Sequence, residues 1–411
     1  MIPVSHRRRK SPKRRTSPAA PRVQHRLWPT ALASALAVLI LAPIVSRLAG
    51  TGNDYTIHRN IAVAMKAHLT LYSPHFLLQF LVLALNFLLP GDIDTAMIVV
   101  SLLAYAATAA IVVRLILHRT SSPAVALTLT LALLLAASVA LLFPLDRHLY
   151  RGYIPANVFH NPTMVLLKPL ALLSFGYAAA ALWPEQGEKT HTLIGCALLT
   201  VACALAKPNY TVCILPALAS VAAKRAAFRS QIDWKLLLLG FVVPACATLV
   251  FQYHWTFSDS QIPGVLPGSS HIVFAPLAVV RRHSSWLAVK LLLSLLFPLS
   301  VLAINFRRAK EDSALLLAWV LFVFGAGMMY LLAESGPRMI HGNMLWSAQI
   351  AVFILFVQSA AHISAYFGGA LTTAPRGERM RAMASFACLL LHTAFGIALY
   401  FSEYARVARY W

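Results

Sequence analysis

The feature that most constrains this chain is the recurrence of long apolar runs from one end to the other. An α-helix needs about 20 apolar residues to cross the hydrocarbon core of a bilayer, and the runs here have that length. The 411 residues are 59% hydrophobic and only 12% charged, whereas a soluble chain carries about 25% charged residues. The ten-residue blocks of alternating polarity typical of a membrane β-barrel are not seen. The sequence therefore predicts an all-α polytopic membrane protein.

We expect eleven of these runs to cross the membrane, with the N-terminus inside and the C-terminus outside. The predicted spans are 28–46, 95–117, 124–143, 164–183, 192–206, 210–223, 236–254, 286–306, 313–333, 344–366 and 383–401. Pro208 interrupts what would otherwise be one long helix, so two short spans are predicted around it. No repeat or soluble domain is visible. The chain therefore divides into a tail at 1–27 and a transmembrane domain at 28–411.

The tail at 1–27 is strongly basic. It holds nine Lys and Arg residues and no acidic residue, and the first apolar run follows it directly. Positive charge next to a span marks the cytosolic side, so we expect a disordered cytosolic tail that contacts anionic lipid. A tail of this kind is the simpler explanation for part of the net charge of +22, and a nucleic-acid partner is not predicted.

The segment at 75–89 decides the topology of everything after it. With about 15 residues it is short for a span, and two aspartates, Asp92 and Asp94, follow it. If it does not cross, the unusual polar loops all open on one side, at 47–74, 144–163, 207–209, 255–285 and 334–343, and the opposite loops are short and basic. We therefore predict that 75–89 is an interfacial or re-entrant helix on the outer face.

Asp54 stands at the mouth of the first span. An acidic side chain beside lipid is costly, and such groups usually serve a function. One interpretation is a catalytic base. The other is that Asp54 caps a helix at 55–66, a role that Asp fills well. The residues alone leave both interpretations open.

Asp54 lies in the sequence Asn53-Asp54-Tyr55-Thr56-Ile57-His58, and a short helix to Lys66, the 75–89 helix and the span at 95–117 follow it. This order resembles the GT-C superfamily of integral membrane glycosyltransferases, which includes protein O-mannosyltransferases and the transferase that adds aminoarabinose to lipid A. The resemblance covers roughly the first 120 residues in detail and the remainder as a pattern of spans. Ser73-Pro74-His75 stands where the family often has His-Pro-Pro.

The resemblance implies that Asp54 is the base of an inverting glycosyltransferase with a polyprenyl-phosphate-linked sugar as donor. Such a reaction needs a base for the acceptor hydroxyl and cations for the departing phosphate. Because phosphate leaves readily, one carboxylate suffices where a glycosidase needs two. We expect transfer of a monosaccharide to an acceptor glycan, lipid or protein. The expected location is the lipid bilayer of a bacterial inner membrane, with the site on the outer, periplasmic face.

Candidate substrate-binding residues are polar or cationic side chains in the outer loops. Arginine matches phosphate oxygens as a fork and lysine acts as a point charge, while the loop at 144–163 is rich in donors, acceptors and aromatic rings. The candidates are His58, His75, Arg147, Asn157, His160, Asn161, Lys168, Lys207, Arg281, Arg282, Arg338 and His341.

Several of these candidates also have a simpler explanation. Asn161 would cap a helix, the arginine pair would reach lipid headgroups, and Arg338 would pair with Glu334. The outer histidines together with Asp54 could ligate a metal, but their spacing fits no specific site. The use of a divalent cation is therefore left open. The five cysteines lie in apolar runs without metal-ligand or CxxC spacing, so we expect them to be packing residues.

Two other functions compete with glycosyl transfer. A transporter or flippase of a lipid-linked or anionic substrate would place ionisable groups at mid-bilayer and show inverted repeats, whereas the polar groups here cluster at the mouths of loops. A polysaccharide polymerase or ligase would share the class of substrate, and the loop at 255–285 keeps this alternative open.

Overall fold

The computed structural model describes residues 27–89, 91–146, 148, 150–185, 192–257, 270–304 and 306–405. The tail predicted at 1–27 lies outside the described residues except for Leu27, and the candidate Arg147 also lies outside them.

The described chain is helical almost throughout. Its helices are α1 Trp28–Ala49, α2 Asp54–His68, α3 Leu77–Leu88, α4 Ile93–Leu117, α5 Pro123–Leu135, α6 Phe143–Asp146, α7 Pro162–Leu182, α8 Leu193–Ala206, α9 Asn209–Ala227, α10 Leu236–Phe257, α11 Ala278–His283, α12 Leu287–Ile304, α13 Phe306–Ala309, α14 Ser313–Leu331, α15 Leu345–Ser364 and α16 Arg376–Tyr404. Two short strands, β1 Ile272–Phe274 and β2 Leu332–Glu334, pair antiparallel, and a 3₁₀ helix spans Gly336–His341.

Seven of the described helices, α1, α4, α7, α10, α14, α15 and α16, are long and apolar enough to cross a membrane. The predicted all-α membrane class is therefore supported. Each of the other four predicted spans also corresponds to a helix (α5, α8, α9 and α12), but these helices are shorter or less apolar.

The span predicted at 124–143 is wrong in its second half, because α5 ends at Leu135. Ala136 is extended, and the backbone beyond it bonds to other elements: Ala137 N donates to His392 O (3.0 Å) and Val139 N to Leu293 O (3.2 Å). Non-helical backbone at membrane depth is tolerated where protein surrounds it and supplies hydrogen bonds. Hydropathy reports only that a segment is apolar, so it could not distinguish this extended stretch from helix.

The first four helices show that the segment at 75–89 stays at one end of the bundle, the end at which α1 finishes and α4 begins. Ser34 Oγ in α1 donates to Ala106 O in α4 (3.0 Å), and Arg59 in α2 pairs with Asp94 at the start of α4 (3.0 Å). The two long helices α1 and α4 are therefore antiparallel neighbours, and α2 and α3 connect their adjacent ends. This geometry agrees with the prediction that 75–89 does not cross.

The two ends of the bundle differ in character. At the Asp54 end, α1 and α16 finish together, since Arg47 Nε donates to Tyr404 O (3.4 Å). At the opposite end lie basic loops with ion pairs, including Arg308–Glu378 (3.0 Å) and Arg119–Asp312 (3.4 Å). Helix α15 runs from one end of the bundle to the other and is buried along almost its whole length.

The predicted polar loops meet at the Asp54 end. Gln252 near the end of α10 donates to Pro74 O (3.0 Å). The strand pairing of Ile272 with Glu334 joins the loop before α11 to the loop after α14.

Candidate functional site around Asp54

Asn53, not Asp54, caps α2. The side chain of Asn53 accepts a hydrogen bond from Tyr55 N (2.8 Å), while Asp54 is the first residue inside the helix. A carboxylate in the first helical turn is favoured by the helix dipole. The capping role considered for Asp54 is therefore already filled by its neighbour, and the Asp54 carboxylate is available for a tertiary contact.

That tertiary contact is with Asn161, 107 positions along the chain. Asn161 Nδ2 donates to Asp54 Oδ2 (2.5 Å), and Asn161 Oδ1 accepts from Met164 N (2.9 Å). Asn161 thus caps α7, as one interpretation of the sequence proposed, and also holds the acid. A single amide can do both because its oxygen accepts while its nitrogen donates.

Lys207 completes this network from the break between α8 and α9. Its Nζ donates to Thr163 Oγ1 (3.1 Å) and to Asn161 Oδ1 (3.4 Å), and Thr163 Oγ1 donates to the same oxygen (2.7 Å). The short interruption at Pro208 positions the lysine, because it leaves Lys207 in extended conformation at the end of α8. We call Asp54, Asn161, Thr163 and Lys207 the Asp54 network.

Burial shifts both charged members of the network toward their neutral forms. Desolvation raises the pKa of Asp54, although the charge of Lys207 and the Asn161 hydrogen bond oppose the change. Desolvation likewise lowers the pKa of Lys207 to about 8, against the attraction of Asp54. Perturbed pKa values of this kind are frequent at functional sites.

A cleft opens beside the network. Lys207 Nζ lies 4.4 Å from the centre of the Trp346 indole ring. The centres of the His160 and Trp346 rings are 6.2 Å apart, and the two rings meet edge to face. Trp346 and His160 both line a small cleft with a volume of about 30 Å³, whose other lining residues are Tyr150, Arg151, His341, Gly342, Leu345 and Gln349. The structure thus brings the candidates Asn161, Lys207, His160 and His341 to one place with Asp54.

Glu403 is a second buried acid in this region that the sequence analysis missed. It is fully buried near the end of α16, its Oε1 accepts a hydrogen bond from the Tyr150 hydroxyl, and His160 Nδ1 lies 3.3 Å from the same oxygen. It is close enough to Asp54 for the two carboxyl groups to interact electrostatically. Glu403 directly follows the last apolar run, so the criterion that selected Asp54 would also have found it.

Two further candidates, Asn157 and Lys168, pair with each other inside the protein. Lys168 Nζ donates to Asn157 Oδ1 (2.5 Å), and Asn157 Nδ2 donates to Leu133 O (2.7 Å) and Ala136 O (2.8 Å). These carbonyls lie at the C-terminal end of α5, where the helix stops and no following turn supplies N–H groups to bond them. Asn157, held by Lys168, therefore satisfies the carbonyl groups at the end of α5.

The remaining cations lie elsewhere in the loops that the sequence predicts to be on the outer face. Arg281 and Arg282 are exposed on α11. Arg338 pairs with Glu334 (3.1 Å), as one interpretation of the sequence suggested, and Asn343 Nδ2 donates to the other oxygen of Glu334 (2.6 Å). The pairing fixes the turn that carries His341 to the cleft.

The histidines next to Asp54 pack with α3. His58 Nδ1 lies 2.8 Å from Gln79 Nε2, and the rings of His58 and His75 are 6.4 Å apart. Desolvation and the nearby cations Lys207 and Arg338 lower the pKa of His75, so it is neutral. Within the described part of the chain, no group of three or more His, Cys, Asp or Glu side chains has the geometry to hold a metal ion.

Comparison of the chain with models of known protein families gives no match. Comparison with curated proteins gives no significant match either.

Proposed function

We propose that this protein is an inverting membrane glycosyltransferase that moves a monosaccharide from a polyprenyl-phosphate donor to an acceptor hydroxyl, with Asp54 as base. The observation that carries the proposal is the Asp54 network: an acid not used for capping, held by Asn161 and matched by a buried lysine next to an aromatic cleft. The proposal includes the GT-C type of fold with eleven spans, and a site on the outer face of a bacterial inner membrane.

In the proposed reaction, an Asp54 carboxylate oxygen takes the proton of the acceptor hydroxyl as its oxygen attacks the anomeric carbon. The bond from that carbon to the phosphate oxygen breaks, and the polyprenyl phosphate departs with the electron pair. A single displacement of this kind inverts the anomeric configuration. General-base assistance typically contributes about 10²- to 10⁴-fold to such a step.

The neighbours of Asp54 give it the properties that this role needs. Burial makes the carboxylate more basic than a solvated one, and a general base works best when its pKa approaches the working pH. Asn161 holds one carboxylate oxygen in place. Lys207 supplies positive charge beside the site, where it favours the ionised form of Asp54 against the effect of burial and would attract the donor phosphate.

Trp346 and Tyr150 provide aromatic surface in the cleft. Aromatic side chains offer a large apolar face and, in Tyr and Trp, a polar group at the edge. Such a surface suits a sugar ring, which presents C–H groups on its faces and hydroxyls around its rim. We therefore propose that the sugar or the acceptor contacts the aromatic surface at the mouth of the cleft.

The test of this function is the substitution Asp54→Asn in the purified full-length chain. Asparagine keeps the size of the side chain and can still bond Asn161, but it cannot take a proton. We expect normal expression and thermal stability, with a transfer rate reduced about 10²- to 10⁴-fold. The assay measures sugar transfer from short-chain prenyl-phosphate monosaccharides.

Asp94→Asn is the matched control, because Asp94 lies at the same end of the bundle and pairs with Arg59 in a half-exposed position. This variant should transfer at close to the wild-type rate. Transfer by Asp54→Asn at that rate would overturn the role of Asp54. The complete absence of transfer by the wild type, across a panel of donor sugars, would overturn the proposed function.

A further inference from the structure

Gln252 contributes a buried amide between two segments that reach the candidate site. From the end of α10, its Nε2 donates to Ala204 O (2.8 Å) in the last turn of α8 and to Pro74 O (3.0 Å) in the loop before α3. Lys207 directly follows α8, and His75 directly follows Pro74. One side chain therefore bonds both segments.

The bond to Ala204 O compensates for a missing backbone donor. In an uninterrupted helix, this carbonyl would accept a hydrogen bond from the N–H four residues later. That residue is Pro208, which has no N–H. Because Lys207 N still bonds to Cys203 O (3.0 Å), the Ala204 carbonyl is the first that the interruption leaves without a helical donor. Gln252 supplies the donor from another helix and so fixes the turn that leads to Lys207.

The orientation of the Gln252 amide follows from its partners. Both are carbonyl oxygens, which only accept hydrogen bonds, so the nitrogen of the amide must face them. The amide oxygen, Oε1, is buried and has no hydrogen-bond partner among the described residues. Buried polar atoms are rarely left in this state. Here it is the consequence of directing both donors of the amide to the two segments.

Asn209 holds the other side of the same interruption. It is the first residue of α9, and its Nδ2 donates to Asn343 O (2.9 Å) and to Ser347 Oγ in α15 (3.0 Å). The backbone around Lys207 is thus bonded to α10 before the lysine and to α15 after it. Its position therefore depends on two side-chain amides as well as on helical hydrogen bonds.

We propose that Gln252 is a positioning residue of the Asp54 site: it holds the backbone of Lys207 at the distance from which the lysine acts on the Asp54 carboxyl group, and it holds the loop that carries His75 beside them. Its hydrogen bonds go to backbone carbonyls, so it acts through these segments and not on a substrate. Without it, two buried carbonyls would lose their donor, a costly state, and both segments would shift toward other donors. The inference rests on the proposed function for any effect on transfer, whereas its effect on Asp54 can be measured without substrate.

Infrared spectra of the full-length protein in detergent, recorded over a range of pH, test this role. The C=O stretch of a protonated carboxyl group reports the titration of Asp54, and Asp54→Asn identifies the band. Lys207→Met should move the midpoint to higher pH, because the charge of Lys207 lowers the pKa of Asp54. Gln252→Leu keeps an apolar side chain of similar length but cannot donate, and it should move the midpoint in the same direction.

Other titratable side chains also face this region. Glu403 from α16 interacts with Asp54, and His58 from α2 lies near His75 from the loop before α3. These groups are present in every variant to be compared. A double variant is therefore needed to show that the effect of Gln252 passes through the lysine.

The double variant Gln252→Leu/Lys207→Met separates positioning from a general loosening of the site. If Gln252 acts on Asp54 through Lys207, the double variant should titrate with the midpoint of Lys207→Met, whereas two independent effects would add. Addition of the two shifts overturns the proposal, and so does a wild-type midpoint in Gln252→Leu.

Thr248→Val is the matched control. Thr248 lies one turn earlier on α10, and its hydroxyl donates to Pro244 O of the same helix (2.8 Å). Because valine keeps the shape of threonine and only a local hydrogen bond is lost, this variant should keep the wild-type midpoint. A shift as large as that of Gln252→Leu would contradict the proposal. If Gln252→Leu is not recovered in folded form, Gln252→Asn draws the amide back by one methylene, and the same shift is expected.

Transfer kinetics separate this inference from the proposed function. If the wild type transfers sugar, the acid limb of kcat/KM in Gln252→Leu should move with the infrared midpoint, and an unmoved limb would overturn the role of Gln252. If the wild type transfers no donor sugar, the proposed function fails. The infrared midpoints of the single and double variants then decide the role of Gln252 by themselves.

Discussion

At the scale of single residues, the central feature is a buried acid and a buried lysine that share one amide. Each would be costly alone in a site with little water. Asn161 forms a hydrogen bond with each of them, so its amide bridges the acid and the lysine inside the protein. Such a pair has a limited range of pH in which both members are ionised, bounded by the raised pKa of Asp54 and by the pKa of Lys207 at about 8.

Lys207→Met should shift the acid limb of the pH profile. Lys207 lowers the pKa of Asp54, so removing its charge raises that pKa further. A base acts only when unprotonated, which means that activity is lost as the pH falls through the Asp54 pKa. The acid limb of kcat/KM should therefore move to higher pH. Wild-type activity should also fall as Lys207 loses its proton above about pH 8, and this alkaline limb should be absent in the variant.

Lys66→Met is the control for this pH experiment. Lys66 is an exposed lysine on the neighbouring α2, bonded to Asn86 (2.9 Å). Its variant should keep the wild-type profile. An acid limb at the same pH in wild type and Lys207→Met would contradict the coupling between Lys207 and Asp54.

At the scale of single elements, α5 is the exception among the apolar segments. It ends halfway along its apolar segment, and its last carbonyls are bonded by Asn157, which Lys168 bonds in turn. Lys168 Nζ thus lies near the negative end of the α5 dipole, where a protonated amine is stabilised. This geometry gives Asn157 and Lys168 a structural role, although the sequence analysis selected both as candidates for substrate binding.

Substitution of Asn157 by Ala separates the two roles. Two buried carbonyls and Lys168 would lose their partner, and each stranded group costs roughly 1–3 kcal/mol. We expect a clearly lower thermal midpoint in detergent, measured by differential scanning fluorimetry, with KM for the donor unchanged in the folded fraction. Asn86→Ala, at a half-buried position of α3 whose hydrogen bonds to Lys66 and Gly91 are exposed to solvent, is the control and should keep the wild-type midpoint. A wild-type midpoint together with a raised donor KM in Asn157→Ala would instead indicate a binding role.

At the scale of the whole molecule, the fold joins the loops at the Asp54 end into one surface. Asp54 follows the first helix, Asn161 begins α7, Lys207 ends α8, and Glu403 ends the last helix. A site assembled from such distant segments forms only if each of these helices runs in the direction that brings its site residue to the Asp54 end of the bundle. The antiparallel packing of α1 and α4 sets the first of these directions. The topology is therefore a prerequisite for the proposed function.

Thiol labelling tests this topology. In a background without the five native cysteines, single cysteines at the exposed positions Asp92, Phe274 and His341 should react with an impermeant reagent from outside the cell. Cysteines at Ser121 and Glu311, which lie in the basic loops of the opposite end, should react only after permeabilisation. Labelling of Phe274→Cys only after permeabilisation would mean that the chain crosses once more before that point, and the outward-facing site would have to be abandoned.

The sequence by itself determined the features that depend on local pattern. Apolar runs predicted where helices lie, although only seven of these helices are long and apolar enough to cross a membrane and α5 ends before its apolar run does. The proline at Pro208 predicted the break after α8. The position of Asp54 after the first span predicted that it lies at the end of α1, which is confirmed. These features could be predicted because burial in lipid acts on each segment separately.

The tertiary structure alone decided what each polar side chain does. It showed that Asn53 rather than Asp54 caps α2, that Asn161 reaches Asp54 across 107 positions, and that Asn157 and Lys168 stabilise the end of α5. It also placed Glu403 beside Tyr150, 253 positions earlier in the chain. The physical reason is that a hydrogen bond depends on a few ångströms of distance between atoms. The packing of helices sets that distance, and no pattern along the chain records it.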